Sequence, residues 1–246
     1  MPKIITTRQY LSPPNYVCQP DGLAVRRPVI PDFIVPEEPK KEKQVHSNTW
    51  SFNPRCNRAV RLAEREWDPQ KEYETRGENR GDDIIKYRYG VDNDFAWCAS
   101  FFNYLYNPNH KDGQNVFGME DKDVISTQKM LKRAKEVGCF APANSNYKLQ
   151  VGDGLVWKSN VDDMKGHIGI IVEVRDDGSF VTIQGNSNDK IEKIEYSSIE
   201  DAMVRAGVSG SKQILQGFLQ MSKYNEKHHL TDNGSGNKNS DYCWVA

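Results

Sequence analysis

A change of hydrophobic period partway along the chain predicts an α+β fold, with N-terminal helices packed on a C-terminal antiparallel sheet. Between Asn57 and Val137 apolar residues recur at helical spacing, whereas beyond Gly152-Asp153-Gly154 they gather in short β-rich runs. Two of these runs, Ile168 to Val174 and Phe180 to Ile183, flank the turn Arg175-Asp176-Asp177-Gly178, which makes them antiparallel neighbours.

Taken in order, residues 1–49 carry Pro2, Pro13, Pro14, Pro20, Pro28, Pro31, Pro36 and Pro39 and end near a charged run at Lys40-Lys41-Glu42-Lys43. Each proline removes a backbone donor and restricts its predecessor, so an extended arm without regular elements is expected. Val29 to Val35 is more apolar than a linker needs, and its alternative reading is a docking segment. The folded domain is expected over 50–222. Ala59, Val60, Ala63 and Trp67 mark a first core helix, and Asp82 to Tyr89 a short one stopped by Gly90. Asp94 to Leu105 predicts an amphipathic helix capped by Asp94, with Trp97, Phe101 and Leu105 on one side. After a polar loop from Asn107 to Asp123, Ser126 caps a helix over 127–137, where Met130, Leu131, Ala134 and Val137 form a stripe and Gly138 ends it. Strands follow at 155–157, 168–174, 180–183 and 190–196, with a last one within 214–221. Residues 223–246 turn polar and read as a flexible tail, with Tyr242-Cys243-Trp244-Val245 a small hook of no assigned function. No internal repeat is present.

The whole chain has 246 residues, enough for one domain with tails, and a formal net charge of −1 with acids and bases interspersed. This gives no global electrostatic case for nucleic acid or an anionic membrane as partner. The longest apolar run, Ile168-Gly169-Ile170-Ile171-Val172, is far too short to span a bilayer, and the first residues lack the apolar core of a signal peptide. Cys18, Cys56, Cys98, Cys139 and Cys243 are odd in number and scattered, which favours reduced thiols over a disulfide framework and offers no zinc spacing.

The chemistry centres on Cys98. At a helix start, unpaired backbone N–H groups and the positive end of the macrodipole favour thiolate over thiol; a small buried hydrophobe on a core helix is the commoner role for a lone cysteine. His167 opens the strongest strand between Gly166 and Gly169, and glycines there imply close approach of backbone or ligand. The next strand ends in Gln184-Gly185-Asn186, two amides near the same end of the hairpin. An amide oxygen accepting from one imidazole nitrogen sets the tautomer and aims the other nitrogen outward, the papain-type logic of cysteine, histidine and polar orienter.

In order, Ala96-Trp97-Cys98-Ala99-Ser100-Phe101, Gly152-Asp153-Gly154-Leu155-Val156, Gly166-His167-Ile168-Gly169-Ile170-Ile171 and Gln184-Gly185-Asn186 resemble landmarks of the CHAP family of bacterial cell-wall amidases and endopeptidases. Glu78-Asn79-Arg80-Gly81 with Tyr87 resembles that family's lead-in to its cysteine, and the resemblance spans roughly 55–221. It implies a papain-like fold, Cys98 as nucleophile, His167 as general base and then acid, and an acidic or amide orienter. Many members carry glutamate where this chain has Gln184, which leaves Gln184 and Asn186 as candidates, with Asn186 preferred. The Cys98 amide is the natural oxyanion donor. Trp97, Trp157 and Asn79 are the candidate substrate contacts, although Trp97, Trp157, Tyr104 and Tyr106 fit core or groove walls as well.

Some CHAP members bind calcium before the cysteine, but Asp92-Asn93-Asp94 falls short of the six or more oxygens calcium takes, and adjacent His228-His229 lack further ligands. No metal or cofactor is assigned. The resemblance implies a cysteine hydrolase cutting an amide bond of peptidoglycan. Without a signal peptide, export by another route is expected, as for a phage lysin or an antibacterial effector delivered by type VI secretion, acting in the periplasm or wall of a target bacterium. An immunity protein blocking the site would be its partner. The alternatives are a non-catalytic module of a secretion or phage apparatus and an amidase acting on a non-wall peptide conjugate.

Overall fold

The computed structural model describes residues 16–18, 24–26, 46–204 and 213–230. Residues 1–44 form a unit of their own, in which Tyr16–Cys18 (β1) and Ala24–Arg26 (β2) pair antiparallel with Val17 opposite Val25. This short ladder sits where only Pro20 intervenes between Pro14 and Pro28, so local proline density does not exclude it. The Val29 to Val35 segment and the hook at 242–245 lie outside the described residues.

In the second unit, residues 45–246, helices lead and an antiparallel sheet follows, the papain-like α+β arrangement. Pro54–Glu66 (α1) begins with proline at its first turn, and the Asn53 side chain caps it by accepting from the Arg55 and Cys56 amides. Asp82–Tyr87 (α2), Cys98–Tyr106 (α3) and Thr127–Glu136 (α4) follow, α4 capped by Ser126, whose hydroxyl accepts from the Lys129 amide at 3.4 Å. Then come Phe140–Pro142 (β4), Gly154–Ser159 (β5), Gly166–Arg175 (β6), Phe180–Ser187 (β7), Lys190–Tyr196 (β8) and Gln213–Leu219 (β9). The sheet runs β4-β9-β5-β6-β7-β8, and Ser47–Asn48 (β3) adds to β6 opposite Arg175 and Val174.

The strand pattern divides two cores. Ile168, Ile170, Val172, Val181 and Ile183 join Ala59, Phe101, Phe102 and Leu105 of the helices in one. Residues of opposite parity, Leu155, Trp157, Ile171 and Phe180, join Tyr196, Phe218 and Ala202 of Ile199–Val204 (α5) in the other. Because β6 is covered on both faces, its sequence is continuously apolar rather than alternating.

Two helices differ from expectation. α3 is buried along its entire length, so it is a core helix and not an amphipathic one; it starts at Cys98 with Trp97 at the cap position and no side-chain cap from Asp94. Met221–Lys227 (α6) extends into the stretch whose composition reads as tail, anchored by buried Met221, Tyr224 and Asn225. Cys56, Cys98 and Cys139 are free, buried thiols.

The turn Gly152-Asp153-Gly154 locks the start of the sheet. Gly152 has φ +94° and an added Cβ would lie 2.5 Å from the Cys56 Cβ of α1. Asp153, fully buried, accepts from the Tyr147 hydroxyl at 2.6 Å and from the Met221 amide at 3.0 Å, joining the turn to α6. Arg55, also buried, donates to the Tyr106 and Gln114 carbonyls and to Asn225 Oδ1, so α1, α3 and α6 share one polar hub. Gly152→Ala is expected to cost about 2–4 kcal/mol, through a positive φ and a backbone collision together, read as a lowered denaturant midpoint with unchanged slope.

Candidate active site

Cys98 is the first helical residue of α3, and its sulfur meets the beginning of β6. Pairing between β6 and β7 runs from Val174 opposite Phe180 to Ile170 opposite Ile183 and stops there; β7 then departs through an irregularity between Gln184 and Ser187. The sulfur occupies the split, 3.9 Å from the Gly166 carbonyl oxygen and facing the Ile168 amide, so it brackets the backbone of His167. The amides of Cys98 and Ala99 also face it, and the Thr127 hydroxyl at the start of α4 lies 3.6 Å away.

Glycines make this approach possible. A Cβ on Gly185 would lie 2.8 Å from the Phe101 ring, so only glycine lets α3 settle on β7 at that point. A Cβ on Gly169 would lie 2.5 Å from Gln184 Cγ, and one on Gly166 would collide with the Gln128 side chain. The close approach expected around His167 is thus made by the protein's own side chains.

His167 Nε2 is 2.9 Å from Gln184 Oε1. The amide nitrogen of Gln184 donates to Thr182 Oγ1 at 2.7 Å and to the Tyr196 hydroxyl at 3.0 Å. Thr182 in turn donates to the Ile194 carbonyl, so its lone pairs face Gln184 and the amide oxygen is left for the imidazole. His167 therefore carries its proton on Nε2, and Nδ1 is the basic nitrogen. The Trp157 ring, cross-strand from His167, lies 5.8 Å from the imidazole and floors it.

Asn186 does not orient His167. It sits at φ +56° within the β7 irregularity, and its amide donates to Asn79 Oδ1 at 3.0 Å. Strand parity gives the physical reason: Gln184 shares a face with Thr182 and His167, and the irregular backbone after Gly185 turns Asn186 toward the loop before α2. Asn79, also at φ +56°, is fixed by a bond from its amide to Glu74 Oε2 at 2.7 Å. Trp97 and Trp157 are completely buried, the first donating to Glu74 Oε1 and the second to the Ala202 carbonyl. In this conformation they are core residues beneath the site and present no surface to a substrate. Tyr104 and Tyr106 are core residues too.

The electrostatics also depart from expectation. Burial raises the Cys98 thiol, outweighing the Thr127 hydroxyl and the Ala99 and Ile168 amides that favour thiolate. Burial likewise lowers His167 to about 4, against the Gln184 hydrogen bond and the more distant Glu192 carboxylate. Thiol and imidazole are both neutral at rest, and no hydrogen bond joins them. The helix terminus is where expected, but desolvation is the larger effect.

Access is closed. Cys98, His167 and Gln184 are buried, and Gln128 of α4 donates to the Trp157 and Lys165 carbonyls, tying α4 to the β5–β6 hairpin. Two clefts on the described surface, one beside Arg175 and Lys193 and one beside Trp50 and Arg61, are not lined by the site residues. Asp92, in the loop weighed as a calcium site, is paired with Arg80 at 3.0 Å. Among the described residues no cluster of histidine, cysteine and carboxylates is arranged to hold a metal ion, and no helix is long and apolar enough to cross a membrane. Thr127 and Gln128 were not legible as site residues, because nothing local marks a polar residue that folding brings to a distant strand.

Residues 89–186 match the family model of the CHAP domain. No curated protein and no solved structure matches the chain significantly.

His167 and Asp153 predict opposing pH effects on stability. His167, lowered to about 4, stays neutral when folded but takes a proton below 6.5 when unfolded, so its contribution is lost as pH falls through this window. Asp153, raised to about 7 by burial, holds a proton when folded that the unfolded chain releases above 3.8, so its contribution is lost as pH rises. Each is worth on the order of 3 kcal/mol across its window. Relative to the parent, Asp153→Asn should gain stability as pH rises from 4 to 6.5, and His167→Gln should lose it over the same range. Melting temperatures of the three proteins against pH test this, and parallel profiles would refute it.

Proposed function

From the premise that residues 89–186 are a CHAP domain, a family of cysteine-dependent amidases and hydrolases generally directed at peptidoglycan, we propose that this protein hydrolyses an amide bond of the bacterial cell wall. The observation that carries the reading is the imidazole of His167, held by Gln184 with Nδ1 left basic, on the strand whose edge receives the Cys98 sulfur. In the proposed reaction the Cys98 proton passes to His167 Nδ1 as sulfur attacks the carbonyl carbon, forming a C–S bond and a tetrahedral oxyanion. Imidazolium then protonates the leaving amine, the C–N bond breaks, and water activated by the same imidazole releases the acyl group. The Cys98 amide is the oxyanion donor in this scheme.

Gln184 rather than a carboxylate behind the imidazole suits this timing. A neutral amide orients the ring without stabilising a standing imidazolium, so charge separation is deferred until substrate is bound. The closed entrance implies that the Gln128 tie to the β5–β6 hairpin yields when substrate enters. A scissile bond between glycan and stem peptide or within the peptide fits the same residues. The biological setting we propose is that of an antibacterial effector or phage-type lysin acting on a target wall, with an immunity protein covering the Cys98 entrance in producing cells.

Purified sacculi incubated with the protein should release soluble fragments whose masses identify the bond, and Cys98→Ala should release none. Gln184→Leu should lower kcat by on the order of 10²-fold with little change in KM, since it frees the ring without touching substrate. Equal release by the parent and Cys98→Ala, or none from sacculi of several chemotypes, would favour a binding module or a non-wall substrate.

A further inference from the structure

Arg88 is a buried cation that makes no ion pair among the described residues. It follows α2, is 4% exposed, and among the described residues no carboxylate lies within ion-pairing distance of it. Its Nη1 donates to two carbonyls, Asn79 at 3.0 Å and Asn93 at 2.7 Å, while its Nη2 is buried with no hydrogen-bond partner. A guanidinium nitrogen buried without a hydrogen-bond partner is costly. The other buried arginine, Arg55, shows the contrast, since each of its three guanidinium nitrogens donates a hydrogen bond.

Placement suggests what offsets the cost. The Asn93 carbonyl belongs to the loop that delivers Cys98, and Asn93 Oδ1 accepts from the Phe95 amide three residues before the sulfur. The Asn79 carbonyl belongs to the loop bridged to β7 through Asn186. One guanidinium thereby ties the loop that delivers the thiol to the loop bridged to β7. Glu74, Asp92, Asp94 and Cys98 are within its electrostatic reach. Of these, Asp92 is committed to Arg80 and Glu74 to the Trp97 indole and the Asn79 amide. His167, the titratable group next to the thiol on β6, is neutral at rest.

We propose that Arg88 is a positioning residue of the thiol site, clamping the loop that carries Cys98 and supplying the positive charge that offsets the negative charge formed on sulfur when His167 takes its proton. This rests on Cys98 being the nucleophile. With a neutral amide behind the imidazole and the thiol desolvated, the largest influences favouring thiolate at the sulfur are the Thr127 hydroxyl and the Ala99, Ile168 and Cys98 amides, which are dipoles, and Arg88 is a full charge in electrostatic reach of it. Arg88 acts through field and loop geometry, not by touching substrate.

The test is the pH profile of Cys98 alkylation by iodoacetamide in the full chain, quantified by mass spectrometry of the Cys98 peptide, for the parent, Arg88→Gln and Arg88→Lys. Melting curves and sacculus digestion run in parallel. Arg88→Gln should move the alkylation midpoint up by about one pH unit, which is roughly a tenfold slower reaction below it. Arg88→Lys, which keeps the charge and loses the fork, should stay within a few tenths of the parent. An unshifted midpoint in folded Arg88→Gln overturns the proposal while fragment release by the parent leaves the hydrolase reading intact; no release by the parent overturns both. If Arg88→Gln does not fold, a folded Arg88→Lys with the parent's midpoint supports the proposal and one shifted by a full unit overturns it. Failure of both variants to fold also overturns it, in favour of an arginine that only holds the loop.

Discussion

The site depends on how closely the start of α3 approaches the split between β6 and β7. β7 leaves the ladder after Ile183, so the edge of β6 at Gly166 and Ile168 is free to receive the Cys98 sulfur. That arrangement needs no side chain at 185, where Phe101 presses on the strand, and none at 169, where Gln184 crosses to the imidazole. Backbone departure, two glycines and a helix terminus are one geometric solution. A Cβ at either glycine would separate the helix from the sheet or the orienter from the ring, and the sulfur would lose its place against the backbone around His167.

Dryness sets the chemical character of that solution. Cys98, His167 and Gln184 are all withdrawn from water, and burial pushes the thiol up and the imidazole down. Both shifts favour the neutral forms, so the resting site stores no ion pair. A thiol in such surroundings is a weak nucleophile unless something stabilises its anion. The same desolvation that suppresses the thiolate strengthens any donor aimed at sulfur or at a developing oxyanion, because local dipoles act there without solvent screening.

The polar interior elsewhere serves the same placement. Asn103 donates to the Tyr89 hydroxyl and to Asn115, and accepts from the Val116 amide, which holds the long loop after α3 against the helix. Arg55 joins α1, α3 and α6, and Asp153 joins the first strand of the domain's main ladder to α6. These groups are paired almost without remainder, the condition under which buried polar networks specify one arrangement. Arg88, with an unpartnered nitrogen, stands apart from them.

Much of this was legible in the amino-acid sequence. The Ser126 cap, the apolar stripe of α4, the β6–β7 hairpin around Asp177-Gly178 and the cysteine at a helix start are all local patterns, fixed by backbone period, turn chemistry and capping within a few residues. The resemblance carried by the segments around Cys98, His167 and Gln184 falls within the matched residues 89–186. What only the tertiary structure decided were quantities set by distant chain. Whether Gln184 or Asn186 meets the imidazole depends on strand parity and on an irregularity that turns one of two nearby amides away. Whether Cys98 rests as thiol or thiolate depends on how much protein covers it, and here burial overrides the helix terminus. Whether Lys223 begins a tail or continues a helix depends on a surface that accepts Met221 and Tyr224. Local sequence determines period and hydrogen-bonding capacity; register, burial and charge compensation belong to contacts between segments far apart in the chain, and no window of sequence contains them.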